Sequence, residues 1–265
     1  MKIACIQLNI DWENQNKNFL ATEKLIKKAK NLGTELVCLP ELFSTGVTEN
    51  TFKFAEEING KTFTFLSEQA KENKIYLIGS FIMNVKSSLP RNVAIIFGPN
   101  GKPINKYEKI HLFTYNKENK FYSSGNKLVV FKKDDFKIAP FICYDLRFPE
   151  VFRIAVKKGT NVFVVIASWP NPRKEQWTSL LKARAIENQS FVIGVNRVGN
   201  SPKLSFFGNS MIISSKGEII AQAGEKEEIL IGEIKIEDLE DWRKRFTALK
   251  DVRKDCYGVC WKNKK

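Results

Sequence analysis

The chain has 265 residues, of which 43% are hydrophobic and 12% aromatic, and this is enough apolar surface for one sizeable core. No stretch reaches the ~18 consecutive apolar residues that a membrane span needs, and the first residues do not resemble a signal peptide. Five scattered cysteines, an odd number, argue against a secreted disulfide framework. We therefore expect a cytoplasmic protein with reduced thiols and no membrane partner. Because no linker or repeat interrupts the chain, we expect a single domain over residues 1–265.

The net charge of +14 is compatible with a nucleic-acid or anionic-surface partner. However, the lysines are spread along the chain, arginine is scarce, and aromatic residues do not alternate with cations as they do on base-stacking surfaces. We interpret the charge as a solubilising surface and expect no nucleic acid to bind. A basic binding protein remains the alternative from a different functional class.

Strand-like runs recur from the N-terminus onward, and many are almost continuously apolar, as in strands that are covered on both faces. They are KIACIQL, ELVCLP, KIYLIGSF, VAIIFG, KIAPFIC, NVFVVIAS, SFVIGVNR, SMIISS and ILIGEI. The turn-rich sequence GPNGKP (98–103) indicates a hairpin.

Helical patterns lie between several of these runs. In residues 16–33 the predicted apolar face comprises Phe19, Ala21, Leu25, Ala29 and Leu32, and Gly33 stands where a helix C-cap is expected. Thr62 to Asn73 and Lys174 to Asn188 also have helical patterns. The alternation predicts a layered α/β domain with mixed sheets.

Three predicted strands end in residues that can carry chemistry. Glu41 follows the run ELVCLP, Lys109 follows the second strand of the hairpin, and Cys143 ends the run that begins at Phe136. A turn directly after a strand presents a side chain rigidly, with backbone N–H groups beside it. Cys143 is therefore a candidate nucleophile.

A cysteine nucleophile needs a neighbouring base or cation, because a free thiol is mostly protonated at neutral pH. His111 is the only histidine, and two residues after Lys109 it would share that lysine's face of an extended segment. A buried carboxylate is the other possible base, and Glu41 at the apolar end of a strand is placed for it.

The segments LPELF, YEKIHLF and ICYDLRFPE, in this chain order, resemble the Glu, Lys and Cys signatures of the nitrilase superfamily of carbon–nitrogen hydrolases. Glu118, in KENKFYSSG, matches that family's second glutamate, with looser spacing. The resemblance runs from residue 2 to about 250. Within the family the chain looks most like the omega-amidase branch, through CYDLRFPE, SWPNPRKEQWTSLLKARAIENQSFVIGVNRVG, GNSMIISSKGEIIAQ and WRKRFTALKD.

The resemblance implies a four-layer α-β-β-α sandwich and hydrolysis of a small carboxylate-bearing amide through a cysteine thioester. Cys143 would be the nucleophile, Glu41 the general base, and Glu118 the residue that holds Lys109. The N–H of Tyr144 and the ammonium of Lys109 would face the oxyanion. Water is the second reactant, and no metal or organic cofactor is expected. The resemblance also implies a homodimer or a higher homo-oligomer.

Other residues have structural interpretations. Cys5 and Cys38 are predicted core residues, and His111 a supporting one. Asp145 and Arg147 could form a local ion pair. Cys256 and Cys260 lack the spacing and companion ligands of a metal site.

The substrate-binding residues are predicted from position. Arg173, framed by prolines after a strand, would bind a carboxylate bidentately or would be a solvated surface arginine. Phe43 and Trp169 would be apolar walls of the cavity or core residues. Rival activities within the enzyme class are those of deaminated-glutathione amidase, N-carbamoyl amino-acid amidohydrolase and nitrilase.

Overall fold

The structure, a computed structural model, describes residues 1–253 and residue 256. Two six-stranded mixed sheets form its centre. The first sheet contains β1 (Lys2–Gln7), β2 (Leu36–Cys38), β3 (Tyr76–Met83), β4 (Arg91–Phe97), β5 (Pro103–Glu108) and β14 (Glu228–Glu233), in the order β14-β1-β2-β3-β4-β5. The second contains β6 (Phe131–Lys133), β7 (Phe136–Ile142), β8 (Val162–Ala167), β9 (Phe191–Asn196), β12 (Met211–Ile213) and β13 (Ile219–Gln222), in the order β13-β12-β9-β8-β7-β6.

Each sheet has three parallel strands at its centre and antiparallel strands at its edges. The parallel strands are β1, β2 and β3 in the first sheet and β7, β8 and β9 in the second. Parallel neighbours end at the same edge of a sheet, so residues that follow β7 and β8 lie side by side. A short ribbon of β10 (Val198–Asn200) and β11 (Ser205–Phe207) stands apart from both sheets.

The α-helices of the described residues are α1 (Gln15–Asn31), α2 (Thr51–Phe54), α3 (Lys61–Asn73), α4 (Pro149–Lys157), α5 (Lys174–Asn188) and α6 (Ile236–Arg245). Helices α1 and α3 pack on the first sheet, and α5, with α4 beside it, packs on the second. In the described part of the chain, no helix is both long and apolar enough to cross a membrane.

Alternation along β1 shows how the layers are held together. Ile3 and Cys5 belong to the core between the two sheets, whereas Ala4 and Ile6 belong to the core under α1 and α3. Successive strand residues point to opposite faces, so one strand serves two cores. The predicted α-β-β-α sandwich is confirmed.

Several local predictions are confirmed, and one is partly wrong. Residues 98–103 join β4 to β5, and the two later predicted helices correspond to α3 and α5. The predicted apolar face of α1 is misplaced, because Leu32 is 51% exposed and the buried residues include Asn18 and Thr22. Asn18 is buried because its amide is hydrogen bonded to Asp11 and to the carbonyl of Ser44.

Cys5 and Cys38 are neighbours on β1 and β2 and are fully buried, as predicted for core residues. Burial raises the pKa of both thiols, so both remain uncharged.

Candidate active site

Four side chains from different parts of the chain meet beyond the strand ends. Glu41 lies three residues after β2, Lys109 directly after β5, and Cys143 directly after β7. Glu118 begins a short 3-10 turn, Glu118–Lys120. All four line one cavity of about 300 Å³.

The turn at Cys143 has a backbone conformation that few non-glycine residues adopt. Cys143 has φ +45° and begins a 3-10 helix, Cys143–Arg147. Such strain persists only where the surrounding structure enforces it, and it is frequent at functional sites. Tyr144 also lines the cavity. It is the second residue of the 3-10 helix, so its N–H has no partner inside that helix.

Asp145 holds this turn in place. It is fully buried, and its carboxylate accepts hydrogen bonds from Ile142 N at 3.0 Å and Tyr107 Oη at 2.7 Å. The backbone N–H of His111 donates to it at 2.9 Å, and His111 Nδ1 lies 2.8 Å from it. The predicted ion pair with Arg147 is therefore wrong, because these groups surround the carboxylate instead. His111 stacks on Phe148 at 3.7 Å and does not line the cavity.

Lys109 is 3% exposed and lies between two carboxylates. Its Nζ is 3.0 Å from Glu41 Oε1 and 2.8 Å from Glu118 Oε1. Burial acts to lower the pKa of Lys109, but the charges of Glu118 and Glu41 outweigh it and raise the pKa well above its ordinary value. Lys109 is therefore a permanent cation.

Glu41 is 1% exposed, and its carboxylate is oriented by three donors. Besides Lys109, these are Asn92 Nδ2 at 2.8 Å and the backbone N–H of Ser168 at 2.9 Å. Ser168 Oγ also donates to the backbone carbonyl of Glu41. Neither Asn92 nor Ser168 was predicted from the sequence; the only signal was the position of Ser168 at the end of an apolar strand.

Cys143 is a neutral thiol in this environment. Burial raises its pKa well above the ordinary value, and the charge of Glu41 adds to the effect. The charge of Lys109 and a hydrogen bond from the backbone of Ser168 act in the opposite direction. Cys143 therefore needs a base to take its proton when it attacks, and Glu41 is the neighbouring carboxylate.

Glu118 is held by its backbone surroundings as well as by Lys109. Phe113 N donates to Glu118 Oε2 at 2.6 Å. Burial raises the pKa of Glu118, and the charge of Lys109 only partly offsets this. Gly125, which ends the segment KENKFYSSG, donates its N–H to the carbonyl of Lys109 at 2.8 Å. A Cβ at Gly125 would lie 2.4 Å from the carbonyl oxygen of Glu108, so only glycine allows this approach.

Of the predicted cavity walls, Trp169 is in place and Phe43 is not. Trp169 lines the cavity and donates from Nε1 to the carbonyl of Arg173 at 2.8 Å. Phe43 packs against Phe19 and Phe65 in the core under the outer helices. Of the two predicted places for Phe43, a cavity wall or the core, the structure shows the core, and Leu42, with φ +47°, turns the chain between Glu41 and Phe43.

Three arginines line the cavity, and one of them, Arg197, donates to the backbone carbonyls of Ile10 and Asn200. Among the described residues, the other two, Arg173 and Arg147, do not pair with a backbone carbonyl in this way.

Arg173 ends a short 3-10 turn, and its guanidinium lies 5.1 Å from the centre of the Phe113 ring. Arg147 lies 5.0 Å from the Trp169 ring and donates to Gln176 Oε1. Within the described residues, neither has a carboxylate within 4.0 Å. Both can therefore receive an anion.

In the described residues no three His, Cys, Asp or Glu side chains are grouped so that they could hold a metal ion. Cys260, the neighbour of Cys256 in the sequence CYGVC, lies outside the described residues.

Comparisons with known proteins agree with this geometry. The sequence model of the family described as carbon-nitrogen hydrolase matches residues 2–244. The 2-oxoglutaramate amidase of Bacillus subtilis (strain 168) is 36% identical, covering 96% of this chain and 98% of that protein. An omega-amidase of Xenopus tropicalis is 34% identical, covering 92% of each.

A solved structure is also similar. It is a carbon-nitrogen hydrolase superfamily protein from Xanthomonas campestris that has an arsenic adduct in its active site. The TM-score is 0.91 at 29% identity, over 96% of this chain and 97% of that chain.

Proposed function

Because this chain belongs to the carbon-nitrogen hydrolase family, and so is a hydrolase of carbon–nitrogen bonds, we propose that it is an omega-amidase, which releases ammonia from a 2-oxo acid amide such as 2-oxoglutaramate. One observation carries the proposal: a single cavity joins a buried Glu–Lys–Cys set to guanidinium groups that have no carboxylate partner. In an amide that ends in a carboxylate, the amide group can meet the Glu–Lys–Cys set while the carboxylate meets a guanidinium group.

The reaction begins when the sulfur of Cys143 attacks the amide carbon. Glu41 takes the thiol proton as the carbon–sulfur bond forms, because the raised pKa of Cys143 leaves little free thiolate. The orientation of Glu41 by Asn92 and Ser168 supports this role, since a base must be held within reach of the proton that it takes.

The amide oxygen becomes an oxyanion in this step. The ammonium of Lys109 and the N–H of Tyr144 stabilise it, and a donor of this kind contributes roughly 3 kcal/mol to the transition state. Glu118 keeps Lys109 charged and in place.

Glu41 then passes its proton to the departing nitrogen, and ammonia leaves a thioester on Cys143. Water attacks the thioester, Glu41 takes a proton from that water, and the acid is released as the thiol regains its proton. The steps use only this chain's own groups and water, and none of them requires a metal or an organic cofactor.

The carboxylate end of the substrate binds to Arg173, and Trp169 forms an apolar wall beside it. Arg147 is a second possible anchor, because it also borders the cavity. Either guanidinium can form two parallel hydrogen bonds with a carboxylate.

Two further proposals concern the whole protein. The homodimer would form across the helices outside the second sheet, where Ile154 on α4 and Ile186 on α5 are exposed apolar residues. The cytoplasm would be its compartment, because a cysteine nucleophile must stay reduced.

The testing experiment measures ammonia release from 2-oxoglutaramate, glutamine, deaminated glutathione and an N-carbamoyl amino acid, together with hydrolysis of a simple nitrile. Cys143→Ala is the blank, and Cys256→Ala is the matched control, because Cys256 does not line the cavity. We expect 2-oxoglutaramate to be hydrolysed fastest. Cys143→Ala should lose this activity, and Cys256→Ala should keep it.

Other outcomes would change the proposal. Faster turnover of another compound, also lost in the blank, would replace the substrate and keep the mechanism. No turnover at all would contradict the proposal, and salt-dependent retention on DNA by both the wild type and Cys143→Ala would then favour the basic binding protein.

A further inference from the structure

The segment Gly46–Asn50, here called the lip, forms part of the mouth of the cavity. Four of its five residues line the cavity, namely Val47, Thr48, Glu49 and Asn50. The lip has no helix or strand of its own. Its shape therefore depends on the side chains that hold it.

Glu13, which directly precedes the N-cap of α1, contacts the lip at several points. Its N–H donates to the carbonyl of Thr45 at 2.8 Å. Its carboxylate accepts hydrogen bonds from Thr48 Oγ1 and, at 2.8 Å, from Asn50 Nδ2. The Glu13 side chain is 12% exposed, so these charge-assisted hydrogen bonds are only weakly screened.

The other side of Thr48 leads to the catalytic residues. Tyr122 Oη donates to the carbonyl of Thr48 at 3.0 Å, and Tyr122 N donates to the carbonyl of Glu118 at 2.9 Å. Thr48 is thus fixed between Glu13 and the segment that carries Glu118.

Other polar contacts of the lip lie at its first residue or on its exposed side. Gly46 N donates to the carbonyl of Leu42 at 2.7 Å. Glu49 pairs with Lys203 at 3.1 Å across the mouth, but both side chains are mostly exposed, and exposed pairs of this kind contribute little. Among the described side chains outside the lip, Glu13 is the one that binds two residues of the lip, Thr48 and Asn50.

We propose that Glu13 is a positioning residue that sets the shape of the cavity mouth and thereby the affinity for the acyl part of the substrate. The change in KM can be measured only if the protein hydrolyses the amide, so this inference rests on the proposed amidase function. A second readout, alkylation of Cys143 by iodoacetamide, needs no turnover.

The experiment compares Glu13→Ala, Glu13→Gln and Glu23→Ala. Glu13→Ala removes the acceptor, whereas Glu13→Gln keeps an oxygen that accepts both hydrogen bonds. Glu23→Ala is the matched control, because Glu23 lies on α1, pairs only with Lys27 among the described residues, and does not line the cavity. For Glu13→Ala we expect KM to rise about tenfold with kcat within about twofold, since small displacements of a binding wall have large effects.

We expect Glu13→Gln to restore KM to within about threefold of wild type, because the acceptor is retained at lower strength. Alkylation of Cys143 should be several times faster in Glu13→Ala than in the wild type, Glu13→Gln or Glu23→Ala, because a released lip opens the mouth of the cavity. Thr48→Val, which lacks the hydroxyl donor, should reproduce Glu13→Ala, and the two changes together should add little.

The inference is overturned if Glu13→Ala leaves both KM and the alkylation rate unchanged, or lowers kcat and thermal stability without altering KM. If wild type hydrolyses none of the amides, the proposed function fails, and the alkylation rates alone decide the role of Glu13. Equal rates in all three variants would then refute it.

Discussion

Lys109 places one ammonium group between two carboxylates at a site almost sealed from solvent. Burial alone would favour the neutral amine, so the charge depends on Glu41 and Glu118. Burial raises the pKa of the Cys143 thiol beside them, so the thiol keeps its proton until Glu41 takes it during attack on the substrate.

The first prediction concerns Glu118→Gln. Loss of one carboxylate moves Lys109 toward Glu41, which weakens both the oxyanion donor and the base. We expect kcat to fall roughly a hundredfold, comparable to the loss of an oxyanion donor. Steady-state kinetics with Glu68→Gln as an exposed control would check this, and an unchanged kcat would contradict it.

The second prediction concerns Arg173→Ala. Loss of a charge-assisted hydrogen bond of roughly 1.5–3 kcal/mol should raise KM for 2-oxoglutaramate about 10- to 100-fold and leave KM for an uncharged short-chain amide unchanged. Arg245→Ala is the exposed control, and Arg147→Ala measures the second guanidinium. If Arg173→Ala has no effect on KM, Arg173 is a surface residue.

At the scale of elements, the turn after β7 is tied to the first sheet by one buried carboxylate. Asp145 accepts hydrogen bonds from the end of β7 through Ile142, from β5 through Tyr107, and from the segment after β5 through His111. The strained φ of Cys143 is therefore stabilised by contacts with both sheets.

The third prediction is that Asp145→Asn destabilises the protein. The new amide nitrogen would face donors that need an acceptor, and leaving them unsatisfied costs about 2–4 kcal/mol in the free energy of unfolding. Urea denaturation beside Asp251→Asn, an exposed control, would measure this. A loss below about 0.5 kcal/mol, the range of ordinary surface substitutions, would show that Asp145 does not stabilise the turn.

At the scale of the whole molecule, many buried groups hold a proton more tightly in the folded state than in the unfolded one. Burial raises the pKa of the thiols of Cys5, Cys38 and Cys143 and of the phenols of Tyr107 and Tyr122. Lys109 joins them because its two carboxylates outweigh its burial. Each group contributes stability below its unfolded-state pKa and loses it as the pH rises toward its folded-state pKa.

The fourth prediction is therefore a steep loss of stability above about pH 9, where unfolded thiols, then phenols and lysine, release their protons. Each such group contributes a slope of about 1.4 kcal/mol per pH unit. Urea denaturation between pH 8 and 11 should show a shallower slope for Tyr107→Phe. Tyr115→Phe, which alters a residue 82% exposed, should keep the wild-type slope; equal slopes in both variants would refute the account.

Local signals explain why much of this molecule could be predicted. The apolar runs before Glu41 and up to Cys143 are each visible in a short stretch of sequence. The hairpin before Lys109 and the helical patterns of α3 and α5 are local signals of the same kind. The family resemblance connected these local signals to one catalytic set and to the sandwich fold.

Prediction failed where a residue's role depends on distant parts of the chain. Ser168 and Asn92, which orient Glu41, lie 127 and 51 residues from it. The predicted pairing of Asp145 with Arg147 was wrong for the same reason. The groups that bind Asp145, Tyr107 and His111, lie 38 and 34 residues before it in the chain. The sequence left Phe43 open between cavity wall and core, because the turn at the left-handed residue Leu42, which decides its direction, has no local signal.

The sequence by itself determined most of the strands, three of the helices and the three strand-end residues, because hydrophobic periodicity and turn chemistry act between near neighbours. The short strands β6, β10, β11 and β13 and the helices α2, α4 and α6 were not predicted. Only the tertiary structure decided which groups orient Glu41, that Arg147 borders the cavity, and that Glu13 holds the lip. These outcomes depend on the packing of two sheets and their loops, which brings together residues that no local pattern relates.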